Sequence, residues 1–200
     1  MKYIFGCKKS TIFIESNFNS IVKFPPTYSY MSVMPPITNQ GNTSKCVAYS
    51  VASWLDWRKN IGEKDNNGGQ FNVDTIYNVR KDKNANGMMI TEALHFLKTN
   101  PNKLWHIKGY ARLGGTEYIK SSLITNGPAI AGMMVRSNNS DFWNGYETLG
   151  GHCVLIIGYN EKGFIIRNSW GNIFGNKGYT IIPYSQLTSN NMFECWTILS

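Results

Sequence analysis

Gln40-Gly41-Asn42-Thr43-Ser44-Lys45-Cys46-Val47-Ala48-Tyr49-Ser50-Val51-Ala52-Ser53-Trp54-Leu55 begins as a polar, glycine-containing loop and continues as an apolar helix. Val47, Val51, Trp54, Leu55 and Arg58 recur at helical spacing, with Ala48 and Ala52 beside them, which predicts a helix over 46–59. Ser44 is the expected N-cap. Cys46 therefore falls in the first turn. There the positive end of the macrodipole and the free backbone N–H groups favour an anion, so they lower a thiol's pKa. An isolated cysteine of this kind is more often a buried structural residue, so this stretch needs partners elsewhere before it means chemistry.

A nucleophilic thiol needs a base, and the base needs a group to orient it. Of three histidines, His95 lies inside an apolar helical run and His106 inside a strand-like run. His152 differs. It follows Gly150-Gly151, which leave room for a chain to approach, and it opens the apolar run Cys153-Val154-Leu155-Ile156-Ile157-Gly158-Tyr159. Asn168 comes sixteen residues later, at the end of Phe164-Ile165-Ile166-Arg167. An antiparallel hairpin of these two runs sets His152 beside Asn168, whose carbonyl oxygen can fix the imidazole tautomer.

Outward from these stretches the chain divides in two. Residues 1–34, broken by prolines, read as an extended arm and loop. Short helices are expected over 74–80 and 91–98, a strand over 104–112 and a helix over 116–124. Strands are expected over 128–135, 153–159, 164–167 and 178–182. Helices first and sheet second give an α+β chain: a helical lobe over about 40–103 and a β lobe over about 104–200, within a unit spanning 35–200. A cleft between lobes is a common place for a site.

The chain has 200 residues, enough to bury a substantial core, and 42% are hydrophobic. Lys and Arg outnumber Asp and Glu by 20 to 12. The basic residues are scattered, and no cluster interleaved with aromatics is present, so the expectation is no nucleic-acid partner. No run reaches the roughly 20 apolar residues of a membrane span, and the first residues are too short an apolar stretch for a signal peptide. Four cysteines without a CxxC pair predict neither a disulfide scaffold nor a metal site, and no cofactor is expected.

Three segments carry a resemblance. Gln40 to Cys46, Gly151-His152-Cys153-Val154 and Arg167-Asn168-Ser169-Trp170-Gly171 stand in the order and spacing of the papain/cathepsin family of cysteine peptidases. Gly127-Pro128-Ala129-Ile130 resembles that family's strand entering its β lobe. The resemblance implies a papain-like two-lobe fold, with an antiparallel β-barrel-like lobe and the site in the cleft. It also implies roles: Cys46 as nucleophile, His152 as its base, Asn168 as the orienter, and Gln40 with the Cys46 N–H as the oxyanion hole. Trp170 is implied to cover the His152–Asn168 pair. Gly87, Met89, Gly132 and Gly151 are implied to line the substrate cleft, with no acidic residue among them and apolar side chains preferred. Polypeptide substrates and an inhibitory protein partner follow as expected partners.

Several residues depart from the family pattern. Thr43 removes the cysteine of a disulfide common in this loop, which fits a reducing compartment, cytoplasmic or associated with a virion or host cell. Val47 replaces an aromatic residue, Met88 stands where a second glycine is usual, and His152 follows Cys46 more closely than usual. Only a short arm precedes Cys46, so latency is expected from that arm, from a separate inhibitor or from compartment. The competing expectations are a catalytically inactive papain-like binding module and another thiol acyl-transfer chemistry on the same fold.

Overall fold

The computed structural model describes residues 4–10, 24–63 and 71–200. In chain order the elements are β1 (Cys7–Lys8), β2 (Tyr28–Ser29), α1 (Cys46–Glu63), α2 (Val73–Tyr77), β3 (Met88–Met89), α3 (Ile90–Thr99), β4 (Gly109–Arg112), α4 (Thr116–Thr125), β5 (Ala129–Val135), β6 (Gly150–Tyr159), β7 (Gly163–Arg167), β8 (Tyr179–Pro183) and β9 (Met192–Leu199). Strand order in the large sheet is β4-β9-β5-β6-β7-β8, with β2 also on β6. The order ends at β4 and β8, so the expected barrel-like lobe is an open sheet, not a closed barrel.

Strand β6 explains the architecture. Its continuous apolar sequence is buried on both faces, the pattern of a strand covered on each side. Cys153, Leu155 and Ile157 face one core with Val47, Val51, Trp54 and Leu55 of α1. Val154 and Ile156 face a second core with Ile119 and Leu123 of α4, Phe142 and Trp170. The alternation of side chains along a strand divides the two cores. Ser50 Oγ of α1 donates to Cys153 O at 3.1 Å, tying the helical lobe to the strand.

The helices lie close to their expected places, although α1 runs on to Glu63. Only Gly109–Arg112 of the expected strand over 104–112 is extended. Upstream, Asn102 O accepts from the N–H groups of both Trp105 and His106, so the Asn-rich segment turns. Strand β9, absent from the expected elements, lies between β4 and β5. In the β6–β7 turn, Asn160 Oδ1 accepts from Lys162 N and Gly163 N at 2.9 and 3.2 Å. That turn sets the hairpin pairing Leu155 with Arg167, and so brings the strand ends that carry His152 and Asn168 together.

Candidate active site

Cys46 is the first residue of α1 and is fully buried. The Ser44 hydroxyl, the expected cap, is engaged with Tyr77 Oη at 2.8 Å, and Tyr77 Oη also accepts from Gly87 N at 3.1 Å. This phenol locks the loop before α1 to the loop before β3. Lys45 is held away by Asp74 at 2.5 Å.

His152 and Asn168 meet as expected: His152 Nε2 donates to Asn168 Oδ1 at 2.8 Å. With Nε2 so used, Nδ1 is the nitrogen left for a thiol, and it is buried without a hydrogen-bond partner. Trp170 is fully buried with its ring 4.5 Å from the imidazole, and Phe142 meets the imidazole edge-on at 6.0 Å. Gln40 is fixed from two sides. Its Oε1 accepts from Ser169 Oγ at 2.7 Å, and its Nε2 donates to Thr43 O at 2.8 Å.

The segment 4–10 crosses this site. Met88 N donates to Gly6 O at 2.8 Å, and β1 pairs in parallel with β3, Cys7 opposite Met88 and Lys8 opposite Met89. A side chain at position 88 thus does not stop the backbone from binding an extended chain. Ile4 O lies 3.4 Å from Gln40 Nε2. Phe5 packs against His152 and Trp170, at 6.4 and 6.1 Å. Gly6 N–H points to the Cys46 thiol, as do the N–H groups of Cys153 and Val47. Three glycines make the fit possible. A Cβ on Gly87 would lie 2.0 Å from Gly6 O, one on Gly151 2.1 Å from Cys7 O, and one on Gly6 2.2 Å from Ser44 O.

Burial reverses the expected ionisation. The Cys46 thiol is pushed up to about 12, chiefly by desolvation, which outweighs the three N–H groups that favour the thiolate. Desolvation likewise pushes His152 down to about 4, against the pull of Asn168. Both groups are neutral while the cleft is covered.

Of the expected cleft residues, Gly87, Met89 and Gly151 meet the backbone of segment 4–10, and Trp170 sits against Phe5. Gly132 lies under the Phe193 ring and opposite Glu194, whose Cγ would be 3.0 Å from a Cβ there. Glu194, outside the expected set, is buried there, accepting from Ser10 N and Ser10 Oγ, each at 3.2 Å. Burial raises its pKa. The sequence reading missed Glu194 because it depends on the β5–β9 register, and that strand was not expected.

A model of the papain family of cysteine proteases matches residues 95–195, half of the chain, including His152 and Asn168. Cysteine proteinase 3 of Entamoeba histolytica is 25% identical over 88% of this chain and 68% of its own length. A peptidase C1-like protein of Acanthamoeba polyphaga mimivirus is 33% identical over 42% of this chain, which spans only 31% of it. The chain spans 58% of mouse cathepsin K, at 24% identity. In three dimensions it is similar to xylellain, a cysteine protease from Xylella fastidiosa, with a TM-score of 0.77 at 20% identity over 98% of this chain and 96% of that one. Procathepsin B S9 from Trypanosoma congolense superimposes with a TM-score of 0.75. With the fold, the hairpin carrying His152 and Asn168 and the family model in agreement, the chain belongs to the papain family of cysteine proteases.

Proposed function

We propose that this chain is a cysteine endopeptidase held latent by its own segment 4–10. The observation that carries the reading is a polypeptide backbone lying across Cys46, with its Ile4 carbonyl at Gln40 Nε2 and its Gly6 N–H at the thiol. A cleft shaped to hold one extended chain in this way suits polypeptide substrates.

The bound segment runs backwards for hydrolysis. The leaving amine must lie on the His152 side to receive a proton, so a productive substrate has its C-terminal part there. Here Phe5, the residue against His152 and Trp170, precedes Gly6. The segment therefore occupies the cleft as an inhibitor rather than as a substrate. Once it lifts, water re-enters, and a Cys46 thiolate paired with the His152 imidazolium becomes favourable. Cys46 then attacks the scissile carbonyl, and the oxyanion is met by Gln40 Nε2 and the Cys46 N–H. His152 protonates the leaving amine and afterwards activates the water that cleaves the thioester. Asn168 keeps Nδ1 toward the thiol, and Trp170 shields that hydrogen bond. The four cysteines are free, consistent with a reducing compartment, cytoplasmic or associated with a virion or host cell. No helix among the described residues is long and apolar enough to cross a membrane.

The test is hydrolysis of fluorogenic peptides by Gly6→Ala protein, whose segment cannot seat, together with labelling by a peptidyl epoxide. Turnover and label on Cys46, both lost in Cys46→Ala, support the reading. A displaced segment with an inert Cys46 overturns it in favour of a papain-like binding module, and thiol-dependent acyl transfer without peptide hydrolysis favours the other thiol chemistry.

A further inference from the structure

We propose that Tyr77 is a positioning residue: its phenol oxygen sets β3, the strand that holds a bound chain's backbone, against the loop that carries Cys46. The inference rests on the peptidase reading above and adds the group that aligns the two halves of the cleft. Tyr77 ends α2 and is buried. Its Oη meets Ser44 Oγ at 2.8 Å, two residues before the nucleophile, and accepts from Gly87 N at 3.1 Å, one residue before β3. The ring is held in place. The Arg80 guanidinium lies 3.9 Å from its centroid, and Arg80 donates to Tyr77 O at 3.0 Å and to Lys83 O at 3.1 Å. At the other end of α2, Asn72 Oδ1 accepts from Asp74 N and Thr75 N at 2.8 and 3.1 Å, and Asp74 pairs with Lys45 at 2.5 Å. One short helix thus grips the loop before Cys46 at two successive residues.

The backbone around β3 shows what the grip serves. Three successive N–H groups have three different partners. Gly87 N–H goes to Tyr77, and Met89 N–H goes to Glu92 Oε2 at 2.7 Å. Met88 N–H, between them, donates to Gly6 O of the chain lying in the cleft, at 2.8 Å. The amides on either side are fixed to the protein, and the middle one is left for a bound chain. Gly87 has a φ of 80°, a bend that glycine favours, and its buried N–H needs an acceptor. The four cysteines are free, so no disulfide joins the two loops. The phenol joins them through hydrogen bonds that reduction leaves intact.

A chain held at Met88 presents its carbonyl to Cys46 only if β3 and the loop before α1 keep one spacing, and a misplacement near 1 Å can cost about 10²-fold. Tyr77→Phe keeps the ring over Arg80 but leaves the Gly87 N–H and the Ser44 hydroxyl without their shared partner. A reagent that touches only the thiol is indifferent to this spacing. One that must lie along β3 is not.

The experiment uses the full chain, with label on Cys46 read by mass spectrometry. In Gly6→Ala protein, adding Tyr77→Phe should slow labelling by a peptidyl epoxide on the order of 10-fold and leave labelling by iodoacetamide nearly unchanged. Ser44→Ala should give a smaller loss with the epoxide and add little to Tyr77→Phe, because both act through one hydroxyl. Equal slowing with both reagents, no slowing with either, or fully additive losses overturn the proposal. A second arm needs no peptide reagent. With Gly6 intact, segment 4–10 is itself the chain held at Met88, so Tyr77→Phe should speed iodoacetamide labelling of Cys46 on the order of 10-fold while Cys195 keeps its rate. No acceleration, or equal acceleration at Cys195, overturns the proposal. If the epoxide never labels Gly6→Ala protein, the peptidase reading fails, and the second arm still decides the role of Tyr77.

Discussion

Replacing Gly6 by Ala should open the cleft without touching any group that acts on substrate. The new Cβ would lie 2.2 Å from Ser44 O and 2.7 Å from Ser44 Cβ. Neither can yield cheaply, because Ser44 adjoins the first turn of α1 and its hydroxyl is pinned to Tyr77 at 2.8 Å. Overpacking of this kind costs about 1–3 kcal/mol. Set against a segment that can leave, that cost shifts the closed–open equilibrium toward open by roughly 5- to 150-fold. Rates of iodoacetamide labelling, located by mass spectrometry from pH 5 to 8, report the open fraction through Cys46. Cys195, 1% exposed in the β-lobe core, is the internal control and should keep its rate. An unchanged rate at Cys46 refutes the steric argument. Equal acceleration at Cys46 and Cys195 shows loss of the fold instead of displacement.

Acidification should loosen the covered state. His152 is held near 4 in the structure against about 6.5 when free, so the unfolded or open form binds the extra proton first. The stability tied to the neutral ring is complete above about pH 6.5 and is lost as pH falls toward 4, up to roughly 3 kcal/mol. Thermal midpoints measured across that window should drop less in His152→Gln protein; an identical drop removes His152 as the cause. Gln40→Ala, made in the Gly6→Ala background, should lower kcat by about 10²–10³ with folding kept, as read by peptide hydrolysis and circular dichroism. Glu194→Ala removes both acceptors of Ser10 and should weaken the seat of the segment by about 1–3 kcal/mol, read as faster Cys46 labelling. Trp54→Ala, at a fully buried position of α1, should cost about 3–5 kcal/mol in urea unfolding.

What the sequence discloses follows from how local each signal is. Helix α1 is legible because Val47, Val51, Trp54 and Leu55 repeat at its own period. The His152–Asn168 pair is legible because two apolar runs joined by a short turn leave little choice of pairing. Phe5-Gly6-Cys7 carries no period, and Gly6 acquires meaning only from Ser44 and Gly87, brought to it from elsewhere in the chain. Glu194 reaches the cleft through a register between distant strands, with a bulge at Gly132. The ionisation of Cys46 was misleading for a related reason. Its helix terminus argues for a thiolate, but desolvation by burial, set by residues from several parts of the chain, outweighs it.

The sharing of β6 between two cores bears on how the chain is made. During synthesis α1 emerges roughly a hundred residues before its partner strand, and at about 5–20 residues per second it waits several seconds or more with its apolar face unpaired. Closing so long a loop also makes folding slow. The nascent chain therefore carries an exposed Val47–Trp54 stripe until β6 is made, and the α1 segment is where holding chaperones or premature aggregation should first be found.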